Sequence, residues 1–273
     1  MKTAAFVATL LLSLHSSAAA GTLKVFVLAG QSNMEGHAEV ATLDKTTGKP
    51  KNGTLLYQLT DPRTAKEFAP LWDKARNNWT VLNNVKAWTN EGGNAKQGGT
   101  QGVNGSVFPG IDGVDAHFGS LTVGFGCNDG NGGPQSNLIG PEYGFGFGLQ
   151  DPASALRGEK ILIVKTAWGG KTLAGDFRSP SSSAPTVWCN GDCPRETGHF
   201  YSTMMGDVAG LMKPGVIGKM FPELDGLTPE ISGFGWHQGL TTATSSHILL
   251  RRAHAARLTR WFARTQVGTT VAA

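Results

Sequence analysis

"VFVLAGQSNMEG", residues 25–36, decides how the chain is read. An apolar run without polar alternation is the pattern of a strand covered on both faces of a parallel sheet. This run meets Gly30 and then Gln31, Ser32 and Asn33, so a hydroxyl stands on a glycine turn at the strand's carboxyl end.

Two more runs end alike. "KILIVKTAWGG" (160–170) reads as a second buried strand and "ISGFGWHQG" (231–239) as a third strand, and both stop in glycine and polar residues. "VLNNVKAWT" (81–89) and "SLTVGFG" (120–126) read as shorter strands inside a long polar stretch, about 37–137, rich in Gly, Asn and Thr. "GPEYGFGFGLQ" (140–150) starts a helix, with Pro141 in the first turn and Glu142 at the positive end. "FYSTMMGDVAGLM" (200–212) has helical spacing. No repeat or linker divides the chain, and 273 residues suit one α/β domain.

In an open parallel sheet, ligands bind beyond the carboxyl ends of the strands. The turns "GQSN", "WGGKT" and "WHQG" therefore converge on one crevice, and their chemistry is complementary. Ser32 is a hydroxyl nucleophile. The turn at Gly169 and Gly170 offers backbone N–H groups that no Cβ shields, and Gln238 offers an amide donor. A Gly-x-Ser turn alone is usually only a turn; three such turns at three strand ends make a constellation.

The stretches "LAGQSNMEGHA", "IGPEYGFGFGL", "KTAWGGKTLAGDFRSPSS" and "GFGWHQG" resemble the sialate O-acetylesterase-like branch of the SGNH (GDSL-like) hydrolases, close to carbohydrate esterase family six. The resemblance runs from about residue 23 to residue 239. It implies a flavodoxin-like α/β/α sandwich around a central parallel sheet. It also implies serine-dependent removal of acetyl groups from carbohydrate through an acyl-enzyme, with no metal or other cofactor. Ser32 matches the nucleophile, Gly170 the backbone oxyanion donor, and Gln238 the block whose side-chain amide completes the oxyanion hole.

The chain then departs from that pattern. The family's last block supplies an Asp and the catalytic His, yet Leu240 and "TTATSSH" follow here and no acidic residue occurs after Glu230. Residues 240–273 carry five arginines (251, 252, 257, 260, 264) and no Lys, the composition of a GC-rich gene read out of phase. Leu-Thr-Thr-Ala, read one base earlier, can encode Asp-Asn-Gly. We expect an aberrant basic tail that lacks the last strand and the Asp–His block, and hence a poorly activated serine and an unpaired sheet edge. A divergent amphipathic helix over 248–263 is the other reading of the tail. A non-catalytic carbohydrate-binding pseudoenzyme is the alternative function.

Other residues carry expectations of their own. Glu142 either lines the site or serves its helix start. His237 is a substitute base or a shaper of the pocket, while His247 and His254 are the remaining late imidazoles. Lys171, Asp176 and Arg178 either contact sugar hydroxyls or pair with one another. The seven tryptophans include candidates for sugar stacking, though core packing is their ordinary use.

Composition sets the outer bounds. Residues 1–20 have the Lys2, apolar core and Ser-Ala-Ala-Ala end of a secretory signal, which predicts a secreted or periplasmic protein. That core is too short to span a bilayer. Cys189 and Cys193 in "CNGDC" suit a small disulfide loop, which leaves Cys127 over; a metal site there lacks a second ligand pair. The net charge of +4 belongs to the tail, since residues 21–239 hold 18 Lys and Arg against 20 Asp and Glu. No basic surface interleaved with aromatics points to nucleic acid. Asn52, Asn78 and Asn104 stand in N-x-[ST] sequons, which matter only in a eukaryotic secretory pathway.

Overall fold

The computed structural model describes residues 21–90, 116–126, 137–173, 175–181 and 197–238. The segment read as a signal, all three cysteines, Asn104 and the tail with His247 and His254 lie outside the described residues.

In chain order, β1 (Thr22–Gly30) passes into the one-turn helix α1 (Ser32–Glu35) and then β2 (Ala38–Glu39). Helices α2 (Leu55–Thr60) and α3 (Ala65–Phe68) precede a hairpin of β3 (Trp72–Asp73) and β4 (Asn78–Trp79). Strands β5 (Leu82–Asn90), β6 (Ala116–Leu121) and β7 (Leu138–Ile139) lead to α4 (Pro141–Leu149) and β8 (Ile161–Ala167). After them come α5 (His199–Leu211), α6 (Val216–Met220) and β9 (Thr228–His237).

Among the described residues, five strands form the central sheet in the order β6-β5-β8-β1-β9. β1, β5, β8 and β9 run parallel, and β6 closes one edge antiparallel to β5. Side chains alternate between two cores. On one face Val25, Val27, Trp88, Leu162 and Val164 pack with Val208 and Leu211 of α5 and Ile217 of α6. On the other face Phe26, Leu28, Ala87, Ile161 and Ile163 pack with Met34 of α1, Leu55 of α2 and Tyr143 of α4. The fold is thus an α/β/α sandwich around a mostly parallel sheet, as the buried apolar runs require. All seven residues of β8 are buried, which is why that run shows no alternation.

Two features differ from the sequence expectations. The strand expected over 120–126 lies earlier, at Ala116–Leu121, and the chain then turns so that Phe125 drops into the core. The polar stretch after residue 37 holds short elements too brief to show a period. Thr54, for example, caps α2 by accepting the Tyr57 N–H at 3.1 Å. α4 is helical despite three interior glycines, each of which disfavours a helix by about 0.5–1 kcal/mol. Packing overrides that cost at Gly146, where a Cβ would come within 2.2 Å of Leu121.

Candidate active site

The carboxyl ends of β1, β8 and β9 are stitched together at Gly30. Its φ of +155° and its missing side chain let the β9 backbone close in, because a Cβ would lie 2.1 Å from the His237 carbonyl oxygen. The Gln31 N–H donates to that oxygen at 3.2 Å, and the Trp168 N–H donates to the Gly30 carbonyl at 3.2 Å. The turn that presents Ser32 is therefore fastened to both neighbouring strands.

Ser32 opens α1 and is half-buried. The buried Met34 roots this single turn in the core, and the Gly36 N–H closes it by donating to the Ser32 carbonyl at 2.9 Å. Ser32 and Glu35 are three apart and share a face. Both reach Gly169: a Cβ there would be 2.9 Å from Glu35 Oε2 and 3.9 Å from Ser32 Oγ. The absence of that Cβ opens the space beside the hydroxyl. Gly170 follows with φ +71°, and a Cβ on it would meet nothing within 4 Å. Gln238, just past β9, donates from Nε2 to the Lys171 carbonyl at 2.8 Å and so clasps the segment that follows the glycines. Ser32, Gly169, Gly170 and Gln238 stand together at one rim.

The other expected residues divide. The His237 side chain is exposed at the same rim, while its carbonyl is spent on Gln31. Glu142, weighed as a site-lining residue, instead lies beneath the rim at 1% exposure. Its Oε1 accepts the Gly140 N–H at 2.9 Å and its Oε2 accepts Lys165 Nζ at 3.0 Å, so a sugar hydroxyl finds neither oxygen open. Arg178 is also buried, at 4% exposure. Asp176 accepts the Thr172 N–H at 2.7 Å and Oγ1 at 2.9 Å, which folds the loop after Gly170 upon itself. Lys171 Nζ stands 4.6 Å from the centroid of the Phe200 ring. Trp168 is buried against Phe200 and Phe177, and Trp236 meets Phe177 edge-on at 4.9 Å, so these tryptophans build the floor.

Three residues escaped the sequence reading. Glu35 Oε2 lies 3.4 Å from His37 Nε2, which directly follows the opening stretch. Their signal was the helical spacing of Glu35 from Ser32. Lys165 is the third, a lone cation in the apolar run "ILIVKTA", and that isolation was its signal. His117 stacks on Phe125 at 4.3 Å; burial, helped by the nearby Lys165 charge, holds its imidazole down at about 4. On the opposite face of the sheet Asp207 accepts Asn90 Nδ2 at 2.7 Å, and burial pushes its carboxyl up to about 7. Among the described residues no group of three His, Cys, Asp or Glu side chains could hold a metal ion. Among them, too, no helix is long and apolar enough to cross a membrane.

The site's geometry can be set beside known proteins. No family model and no curated protein matches the chain. A solved structure similar to it is that of a carbohydrate acetylesterase from Xanthomonas citri. The two share 16% identity with a TM-score of 0.40 over 88% of this chain, which spans 38% of that protein's length.

Proposed function

We propose that this chain is built as a secreted serine acetylesterase acting on an acetylated carbohydrate. The observation that carries the reading is the convergence of Ser32 Oγ, the bare Gly169–Gly170 turn and Gln238 at the joined ends of three strands. The motif resemblance supports the choice of substrate class. Ser32 Oγ attacks the acetyl carbonyl carbon and its proton passes by way of water to the departing sugar oxygen, while the Ser32 and Gly170 N–H groups and the Gln238 amide hold the oxyanion. The ester C–O bond then breaks, the sugar oxygen leaves with a proton, and water hydrolyses the acetyl-serine to acetate.

The test is labelling of the full chain with a serine-directed phosphonate, alongside acetate release from an aryl acetate or acetylated xylan. One label per chain at Ser32, lost in Ser32→Ala together with acetate release, is the expected result. Label on another serine would overturn the assignment. Binding of acetylated xylan with neither label nor acetate would mark a carbohydrate-binding protein instead.

A further inference from the structure

We propose that the buried Lys165–Glu142 pair is a positioning element for Ser32, acting through the backbone of the turn that carries it. This rests on Ser32 being the nucleophile. Lys165 lies toward the carboxyl end of the fully buried β8, at a place where an aliphatic side chain would satisfy the fold. Burying an ion pair rarely adds net stability over well-packed apolar residues, so the pair calls for another account.

Its contacts supply one. All three ammonium donors are engaged: with the Glu35 carbonyl at 2.8 Å, with the Phe125 carbonyl, and with Glu142 Oε2 at 3.0 Å. Glu35 is the last residue of α1, the turn that Ser32 begins. A helix of four residues cannot hold itself together, and its terminal carbonyls have no partner within the helix. Lys165 takes one of those carbonyls and places a cation at the negative end of the turn. Glu142 fixes the cation, and its second oxygen holds the Gly140 N–H. Gly140 in turn backs Gly36, where a Cβ would approach the Gly140 Cα to 2.3 Å. One charge pair thus sets both the end of the turn and the surface against which the chain leaves it.

The experiment compares Lys165→Met, Glu142→Gln and the double variant Lys165→Met/Glu142→Leu with the unaltered chain. Four quantities are read: urea midpoint, phosphonate labelling rate at Ser32, kcat and KM for an aryl acetate, and hydrogen exchange at the Gly36 amide. Replacing both charges by apolar groups restores the urea midpoint lost in Lys165→Met. Labelling and kcat in the double variant stay about ten- to a hundred-fold down, because the nucleophile is misplaced, and KM changes less than two-fold. The Gly36 amide loses protection. A double variant that is folded and labels at the unaltered rate would overturn the proposal. Glu142→Gln answers the same question if the double variant does not fold: labelling falls several-fold at unchanged KM, and an unaltered rate refutes the proposal. An unaltered chain that takes no label at Ser32 removes the nucleophile itself, so the functional reading falls first and the positioning role with it.

Discussion

Two buried polar groups stand near the carboxyl ends of the adjacent strands β8 and β5, on opposite faces of the sheet, and they are built differently. Beneath the serine turn, the Glu142 carboxylate faces the Lys165 ammonium and a backbone N–H. On the α5 face, Asp207 has the Asn90 amide and burial pushes it up to about 7. Both carboxyl groups are almost wholly out of water, at 1% and 2% exposure, so depth does not separate them. The partner does: a cation compensates a buried negative charge, whereas an amide only moderates the cost of desolvation. The ion-paired face fixes the geometry of the serine turn, and on the α5 face burial raises the Asp207 carboxyl toward neutral pH.

The largest expected effect breaks the first half of that contrast. Lys165→Met leaves Glu142 buried without its cation and should lower stability by about 3–5 kcal/mol in urea titration. A loss under about 1 kcal/mol would mean that the carboxylate escapes to water or protonates freely, and the two faces would then be alike.

The second prediction sharpens the other half. The folded value for Asp207, about 7, lies above its ordinary 3.8. Its share of stability is therefore fully present below about pH 4 and lost as pH rises through 7. The swing is up to about 4 kcal/mol. Asp207→Asn keeps an acceptor for Asn90 and should flatten the unfolding free energy between pH 4 and 8 relative to the unaltered chain. Parallel pH curves for the two proteins would show that Asp207 remains ionised throughout.

His117 gives the smallest effect and the opposite sign. Its folded value of about 4 lies below the ordinary 6.5, so its contribution is present above pH 6.5 and is lost as pH falls through 4. His117→Gln should remove up to about 3 kcal/mol of acid sensitivity in that window, read as a smaller drop in melting temperature from pH 7 to pH 4. If Lys165→Met also raises the His117 value by NMR titration, the Lys165 charge is shown to reach across the core.

How much of this was legible in the sequence follows from burial. "VFVLAG" and "ILIVKTA" announced β1 and β8 because a strand covered on both faces has no polar side to interrupt it, whereas "ISGFGWH" announced β9 by composition alone, since that strand ends the described sheet and is only half-buried. β5 was legible too, although two asparagines interrupt "VLNNVKAWT". β6 was misplaced because "LTVGFG" carries a strand-like composition, whereas the chain uses Phe125 there to plug the core. The helices α2 and α3 stayed hidden, since four to six residues cannot display a period. Glu142 was seen only as a choice between site and helix start; its burial beside a lysine more than twenty positions away decided between them.

The sequence by itself determined that a parallel sheet presents Ser32, a glycine pair and Gln238 at strand ends, because apolar runs and glycine turns are local properties of the chain. Only the tertiary structure decided that Gly169 is the glycine touching Ser32, that Gly30 admits the β9 backbone, and that Lys165 grips the turn from below. Those are contacts between segments far apart in the chain. Whether a charge is paired or alone, and whether a missing Cβ is space or mere freedom, depends on what another segment places beside it.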